Sequence, residues 1–284
     1  MGSAAPRLDR VRLRWIIPAE AGIRLTSVIP VLPAAQCRGM MSARTGSLWP
    51  ARARRQRGEG MRTEIHRLPG AITSCYLIKE RGLILVDAGP PQKAEQLLKS
   101  LRPLSVDPRD ISLVVLTHAH WDHICALTEW KRLSGCKVAV NHREKEWVEK
   151  ALKPLPRVLN IWGISMALFT RMLARLHPFG GSPVDIALDD SGTSLEPFGV
   201  SGRVLHTPGH TPGSMSVLLD TGDAFVGDLA MNGFPARPGP GMPTLGDDPD
   251  VVKTSWRLLL DSGAKRIYPA HGKSFDADVL RRKL

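Results

Sequence analysis

Apolar and polar positions alternate in short runs from Thr63 onward. In the first half, Pro-Gly and Arg-Gly separate such runs, and this pattern predicts antiparallel strands joined by tight turns. A segment with apolar residues at helical spacing follows, and then a buried run that we interpret as a strand reached by a crossover. In chain order these runs are EIHRL, SCYLI, GLILVD, PQKAEQLLKSL and SLVVLT.

The helix CALTEWKRL, the strand KVAVN and the helix REKEWVEKAL are predicted next. The second half repeats this mixture of elements: strands are predicted for VDIAL, GRVLHT, MSVLLD, DAFVGD and KRIYPA, and helices for VVKTSWRLLLDSG and the chain end. Strands cluster in each half, with helices between and after them. We therefore predict an α/β fold in which two sheets pack on each other and helices cover the outer faces.

Charge divides the chain at about residue 60. The formal net charge of +12 would suggest a nucleic-acid or acidic membrane partner if it were spread evenly. Residues 1–60, however, hold eleven Arg, no Lys and three acids, so the other 224 residues carry only +4. We therefore predict no nucleic-acid partner for the body of the protein.

Residues 1–60 are predicted to be an Arg-rich extension outside the domain of residues 61–284, because they have scattered Pro and no sustained period. Three interpretations compete: an Arg-rich targeting peptide, a secretory signal interrupted by Pro30 and Pro33, and upstream sequence from a misplaced start with Met61 as the natural first residue. We favour the third, with residues 1–60 disordered or non-native.

The cysteines and the apolar runs favour a cytoplasmic protein without a membrane span. Cys37, Cys75, Cys125 and Cys136 form no CxxC pair, so we predict reduced thiols rather than a disulfide framework or a thiolate zinc site. The run 158–176 is the nearest approach to a transmembrane segment, but it contains two Arg and one Gly.

The segment THAHWDH, residues 117–123, places candidate metal ligands directly after an apolar strand. His118 and His120 are two residues apart and point the same way in an extended backbone, while Asp122 and His123 follow in a turn. One loop thus offers two groups of ligands at the rim of a sheet. Imidazole and carboxylate suit zinc, and also iron or manganese.

Three further strand ends carry a His or an Asp: His210 in VLHTPGH, Asp228 in AFVGD and His271 in IYPAH. Together with the loop at 117–123 they give seven potential ligands. Two metals about 3.5–4 Å apart need six or seven protein ligands when one carboxylate bridges them. The count therefore fits a dinuclear site.

These motifs, in this order over about residues 63–275, resemble the metallo-β-lactamase superfamily of hydrolases. The resemblance implies a four-layer αββα sandwich of two mixed β-sheets. It also implies that Asp87, in LVDAG, supports the metal loop without being a ligand. It assigns the ligands as follows: His118, His120 and His210 to one metal, Asp122, His123 and His271 to the other, and Asp228 to both.

The remaining histidines are interpreted as structural. His66, His142 and His177 are single residues, and isolated histidines are more often structural than ligands. His206 lies four residues before His210, in the same strand-to-loop segment. Because the superfamily places its ligand at the His of PGH, we assign His206 to supporting or core packing.

A site of this kind predicts hydrolysis by a hydroxide shared between two divalent cations, zinc first and iron or manganese as alternatives. Asp122 and Asp228 are the predicted catalytic residues, and Asp122 could orient the nucleophile or take up its proton. Asp228 favours the thioesterase, lactonase and glyoxalase II-like branches over β-lactamases, which replace or lack this residue. The expected substrates are small acyl compounds: esters, lactones or thioesters. A phosphodiesterase or nuclease, and a diiron site without hydrolysis, remain the alternatives.

A helical insertion is predicted at about residues 143–183, rich in Trp, Met and Leu. It is interpreted as a helix pair packed on the core, as a lid over an apolar pocket, or as a dimer contact, and the protein as a monomer or homodimer. The Gly/Pro-rich loop 232–247 either borders the same pocket or is a plain connection.

Overall fold

The computed structural model describes residues 62–70, 73–152, 154, 157–159, 161–176, 179–233 and 237–284. The chain divides into two units, Met1–Pro50 and Ala51–Leu284, and every described residue belongs to the second. The predictions made for residues 1–60 and for His177 lie outside the described residues.

The secondary structure follows the predicted order of strands and helices. Across the described ranges the strands are β1 Glu64–Pro69, β2 Ser74–Lys79, β3 Leu83–Val86, β4 Leu113–Val115, β5 Lys137–Asn141, β6 Ile186–Leu188, β7 Thr193–Ser194, β8 Gly202–His206, β9 Met215–Leu219, β10 Asp223–Gly227, β11 Met231–Gly233, β12 Arg237–Gly241, β13 Arg266–Pro269 and β14 Phe275–Asp276. The helices are α1 Ala94–Leu101, α2 Trp121–Ile124, α3 Leu127–Ser134, α4 Lys145–Glu149, α5 Ile161–Leu176, α6 Pro249–Asp261 and α7 Asp278–Arg281.

The strands form two large mixed sheets. The first has the order β1-β2-β3-β4-β5-β6, antiparallel from β1 to β3 and parallel from β3 to β6. The second has the order β14-β13-β10-β9-β8-β7, and only β10 and β13 are parallel in it. Their inner faces share one buried cluster, which includes Ile84 and Val115 from the first sheet and Val217 and Phe225 from the second.

Helices cover the outer face of each sheet. Leu101 of α1 and Trp130 of α3 are buried against the outer face of the first sheet. Val252 and Trp256 of α6 do the same on the second. The predicted αββα sandwich is therefore confirmed. Its three apolar layers, one between the sheets and one under each set of helices, explain why strand and helix patterns alternate along the sequence.

Local sequence explains the well-defined bounds of α6. Asp248 accepts hydrogen bonds from the backbone N–H groups of Asp250 and Val251, and Pro249 occupies the first helical position, where no N–H is needed. Gly263, with φ of 97°, follows the helix end.

Parallel pairing brings four chemically important strand ends to one edge of the sandwich. Val86 of β3 pairs with Val115 of β4, so Asp87 and the loop 117–123 leave the first sheet side by side. Gly227 of β10 pairs with Pro269 of β13, so Asp228 and His271 leave the second sheet side by side. The two sheets connect at this edge, where the N–H of Met215 donates to the carbonyl of Thr117 at 2.7 Å.

Two elements differ from the sequence prediction. The helix predicted over residues 143–152 is shorter, because α4 spans only Lys145–Glu149 and Ala151 has a positive φ of 51°. The segment 232–247 is not only a loop, because β11 and β12 form a two-stranded antiparallel sheet within it. The second helix of the predicted insertion is α5.

Candidate dinuclear metal centre

The loop after β4 separates its ligand candidates into two conformations. His120 is extended, with φ of −69° and ψ of 149°, and α2 begins at the next residue. His118 Nε2 and His120 Nδ1 consequently lie 3.0 Å apart. Asp122 and His123 belong to the single turn of α2, which turns their side chains toward a second point. The expected division of this loop into two groups is present.

The first group, here called the three-histidine group, consists of His118, His120 and His210, and Asp228 lies in one cluster with them. His210 Nε2 lies 3.2 Å from His118 Nε2 and 2.9 Å from His120 Nδ1. All four residues are buried. A tetrahedral ion with metal–nitrogen bonds of about 2.0–2.1 Å separates its ligand atoms by about 3.3 Å, so the three nitrogens are spaced as ligands of one ion.

The second group, here called the two-histidine group, consists of Asp122, His123 and His271. Asp122 Oδ2 lies 3.4 Å from His271 Nε2 and 3.8 Å from His123 Nε2. Within each group the candidate ligand atoms are all within 4.8 Å of one another. The structure thus brings together all seven residues that the sequence singled out.

Asp228 lies between the two groups and presents one carboxylate oxygen to each. Its Oδ2 lies 3.6 Å from His210 Nε2. Its Oδ1 lies 3.3 Å from both His123 Nε2 and His271 Nε2. A carboxylate in this position is placed to bridge two cations.

Buried polar atoms in the centre lack the hydrogen bonds that protein groups alone would supply. His123 Nε2 and Asp228 Oδ1 are both buried and neither makes a hydrogen bond with the described residues. Leaving such atoms unsatisfied costs about 1–3 kcal/mol each. Three imidazole nitrogens facing one point cannot satisfy one another either. The donor set therefore fits divalent cations with nitrogen and oxygen ligands, and zinc, iron and manganese all meet that description.

Electrostatics keep the three-histidine group neutral. Burial lowers the pKa of His118 well below its ordinary value, and the cationic forms of the neighbouring histidines would lower it further. Burial likewise lowers the pKa of His120 to about 3 and also lowers that of His210. Neutral imidazole is the form that binds a metal ion.

Carboxylates determine the protonation of the two-histidine group. Burial by itself would lower the pKa of His271, but Asp228 and Asp122 raise it to about 10. Burial opposes the ionised form of Asp228, yet His271 and His123 hold its pKa well below the ordinary value. This half of the centre is therefore arranged to hold positive charge.

Asp87 fixes the ring of His123, as the sequence suggested. Its Oδ2 accepts a hydrogen bond from His123 Nδ1 at 2.9 Å, which turns Nε2 toward the centre. Its Oδ1 accepts from the backbone N–H of Thr117 at 2.7 Å. Similarly, His210 Nδ1 donates to the carbonyl of Leu245 at 2.9 Å.

Two supporting residues were missed by the sequence analysis. Thr73 donates a 2.6 Å hydrogen bond from its hydroxyl to Asp122 Oδ2. Glu144 is fully buried and accepts hydrogen bonds from the loops that carry His118, His120 and His210. Neither residue belongs to a recognisable motif. Glu144, for example, lies in a run of charged residues that is typical of a solvated helix.

The other described histidines lie outside the two groups. His66 Nε2 is 3.3 Å from Glu64, and His142 Nδ1 contacts the carbonyl of Leu188 at 3.2 Å. His206 Nε2 contacts the carbonyl of Pro212 at 2.9 Å, within the loop that leads to and from His210. These contacts fit the structural interpretation of the three residues.

A four-layer sandwich with two groups of His and Asp at its strand ends defines the class of metallo-hydrolases. The family profile of the metallo-beta-lactamase superfamily matches residues 68–271. The chain belongs to this superfamily.

Known relatives are similar to this chain at modest identity. It is 30% identical over 173 residues to the probable metallo-hydrolase YflN of Bacillus subtilis, covering 57% of this chain and 62% of YflN, so the match spans less than two thirds of that relative. It is 25% identical over 168 residues to the hydroxyacylglutathione hydrolase GloC of Haemophilus influenzae, covering 56% of this chain and 68% of GloC. Among solved structures, a metallo-beta-lactamase superfamily protein of Sulfolobus tokodaii has a TM-score of 0.56 at 22% identity, covering 78% of this chain and 84% of that protein, and supports the fold.

Proposed function

We propose that this protein is a dinuclear metal-dependent hydrolase of small esters, lactones or thioesters. The observation that carries the proposal is the position of Asp228, which faces the three-histidine group with one oxygen and the two-histidine group with the other. In the proposed site, His118, His120 and His210 hold one cation, and Asp122, His123 and His271 hold the second. Asp228 contacts both.

When bound, two divalent cations supply a water molecule activated near neutral pH and an electrophile for the substrate carbonyl. The protein residues would then position the reacting groups and exclude bulk water. His118, His120 and His210 are buried, so the site holds its ligands away from bulk water. Asp122 is fixed by the hydroxyl of Thr73 and is placed to orient the nucleophile or to accept its proton. Zinc is the proposed metal, and iron or manganese would fit the same ligands.

Two observations support acyl rather than phosphoryl substrates. GloC, which shares 25% identity over 168 residues, is by name a hydrolase of hydroxyacylglutathione, a thioester. The 224 residues outside the Arg-rich segment carry a formal charge of only +4, which is small for a protein that follows a phosphate backbone. We propose acyl compounds as the substrate class, and we do not propose that the protein recognises glutathione.

Replacing Asp228 by Ala tests the dinuclear assignment. We expect activity on a responsive ester, lactone or thioester to fall by about three orders of magnitude or more, and bound metal, measured by mass spectrometry, to fall with it. Asp220→Ala is the matched control, because Asp220 is an exposed aspartate that follows β9 in the same sheet. Full activity in a correctly folded Asp228→Ala protein would contradict the proposal.

A substrate panel tests the bond that is cleaved. The purified protein should hydrolyse members of a panel of p-nitrophenyl esters, acyl-homoserine lactones and acyl thioesters, and activity should be lost after chelation and restored by metal. Turnover of bis-p-nitrophenyl phosphate without acyl hydrolysis would replace the proposal with a phosphodiesterase. Bound iron with a visible absorption band and no ester turnover would point to a diiron site without hydrolysis.

A further inference from the structure

Helix α5 presents large apolar side chains to solvent. Ile164, Leu168, Met172 and Leu176 are 55%, 67%, 52% and 64% exposed, and Phe169 beside them is also exposed. Residues four positions apart lie on one face of a helix, so the first four form a continuous stripe. Exposed apolar patches of this kind mark interaction sites in soluble proteins.

The opposite face of α5 packs on the protein largely through small residues. Among the helix residues whose burial is described, Gly163 and Ala174 are buried, and Ala167, Thr170 and Leu173 are half-buried. A Cβ atom at Gly163 would lie 2.5 Å from the carbonyl oxygen of Thr244, so only glycine permits this close approach. A surface helix normally buries its large apolar side chains, whereas α5 exposes five of the six whose burial the structure describes.

Positively charged side chains lie beside the apolar stripe. Arg171 and Arg175 are exposed, and together with Leu168, Met172 and Leu176 they line a shallow apolar depression. Neither arginine forms an ion pair with the described residues. The sequence from residue 150 to residue 184 contains five Lys or Arg and no Asp or Glu.

We propose that α5 docks this protein onto an anionic lipid surface, lying in the plane of the interface. An apolar stripe inserts among the acyl chains at the headgroup boundary, and flanking arginines bind anionic headgroups. Within the described residues, no helix is long and apolar enough to cross a membrane. Docking does not depend on the proposed hydrolase function.

A second copy of the chain fits this surface less well than an anionic lipid surface does. A twofold interface uses the same patch on both subunits, so pairing through α5 would bring Arg171 and Arg175 of both copies together. The segment 150–184 offers no carboxylate to neutralise them. Burying unpaired charges is costly, whereas anionic lipid headgroups would pair with each arginine.

The docking helix is linked to the candidate metal centre through one short segment. The N–H of Leu159, before α5, donates to Thr244 at 3.0 Å, and Gly246 donates back to Arg157 at 2.9 Å. Leu245, between these two residues, holds His210 through its carbonyl. The segment that precedes α5 is therefore hydrogen-bonded to the loop that holds His210.

Vesicle co-sedimentation of the full chain tests this proposal. We expect binding to vesicles of phosphatidylcholine with one third phosphatidylglycerol and much weaker binding to phosphatidylcholine alone. The double variant Leu168→Gln, Met172→Gln should bind at least about tenfold more weakly, because its stripe is polar. The double variant Arg171→Gln, Arg175→Gln should lose about fivefold per arginine on the anionic vesicles, the equivalent of about 1 kcal/mol each.

A matched control exists on α6, where Arg257 and Leu258 are exposed neighbours. Arg257→Gln, Leu258→Gln should leave vesicle binding unchanged. Binding that survives both α5 variants would come from another part of the chain, such as the eleven Arg of residues 1–60, and would overturn the proposal. So would a concentration-dependent dimer, measured by sedimentation, that the Leu168→Gln, Met172→Gln variant abolishes while wild-type protein binds no vesicles.

Discussion

The buried carboxylate of Glu144 accepts a 2.6 Å hydrogen bond from the backbone N–H of Ala119, the residue between His118 and His120. Its other oxygen accepts from the hydroxyl of Thr211 and from the N–H of Gly213 at 3.0 Å, just after His210. One side chain thus connects the two loops that supply all the imidazoles of the three-histidine group. We interpret Glu144 as a positioning residue for that group.

Replacing Glu144 by Ala should destabilise the fold and the metal centre together. Three donors lose their acceptor, at about 1–3 kcal/mol each, so the free energy of unfolding should fall by about 3–9 kcal/mol. Bound metal should fall as well, because the histidine loops are no longer tied together. Urea denaturation and metal analysis measure the two effects.

Glu146 provides the control for this substitution. It lies two residues away in α4, is exposed, and forms an ion pair with Lys150. Glu146→Ala should change stability by no more than about 0.5 kcal/mol. Equal stability and metal content in the Glu144→Ala and Glu146→Ala proteins would show that Glu144 does not position the loops.

Thr73 should affect catalysis more than stability. Thr73→Val keeps the shape of the side chain but removes the hydrogen bond to Asp122 Oδ2, so the carboxylate loses the contact that fixes its orientation. We expect kcat to fall by about 10–100-fold with little change in KM. Thr73→Ser retains the hydroxyl and should recover most of the activity; equal kcat values for the Val and Ser variants would contradict this role.

The candidate ligands could be predicted from the sequence because they lie in the short segments that follow apolar strands. His118, Asp228 and His271 come within three residues of the ends of β4, β10 and β13, so a local pattern marks them. The supporting residues have no such mark. Thr73 and Asp122 are 49 positions apart, and Glu144 is 67 positions from Thr211, so only the folded chain brings them together.

The prediction of irregular structure was less accurate for the same reason. Gly and Pro in the segment RPGPG indicate a loop, yet β12 forms there because its partner β11 supplies backbone hydrogen bonds. The early end of α4 involves a positive φ at Ala151, which no residue preference of alanine indicates. Tertiary contacts outweigh local propensity at both places.

Asp87 provides a test of how far His123 depends on its carboxylate partner. Asp87 has φ of 61°, a conformation that Asn adopts at lower cost than Ala. Asp87→Asn keeps the backbone but turns one amide N–H toward the donors Thr117 and His123, so metal affinity should fall by about 10–100-fold. Metal titration followed by calorimetry measures the change.

Asp87→Ala separates backbone strain from ligand support. It should lose metal affinity to a similar extent and, in addition, lose about 1–2 kcal/mol of stability, because alanine is strained at positive φ. Thermal unfolding of the metal-free variants isolates that difference. Metal affinity in Asp87→Asn equal to that of the unmodified protein would show that the His123 ring is held by packing alone.

Glu144 should also give the metal-free fold a pH dependence. Burial raises the pKa of its carboxyl above the ordinary value of 4.5, although the hydrogen bonds from Thr211, Ala119 and Gly213 oppose that rise. Above that ordinary value, the folded state binds more protons at this site than the unfolded state does. Stability from this group is therefore fully present below about pH 4.5 and is lost as the pH rises through the folded-state pKa.

Glu144→Gln removes this titration, so the pH dependence is measured as a difference. We expect the stability of the metal-free protein relative to Glu144→Gln to be greatest near pH 4 and to decline as the pH rises through the folded-state pKa of Glu144, because glutamine does not ionise. Urea denaturation at each pH, with a chelator present, gives both free energies of unfolding. A difference that increases with pH would mean that the three hydrogen bonds outweigh burial and that the folded-state pKa of Glu144 is lowered.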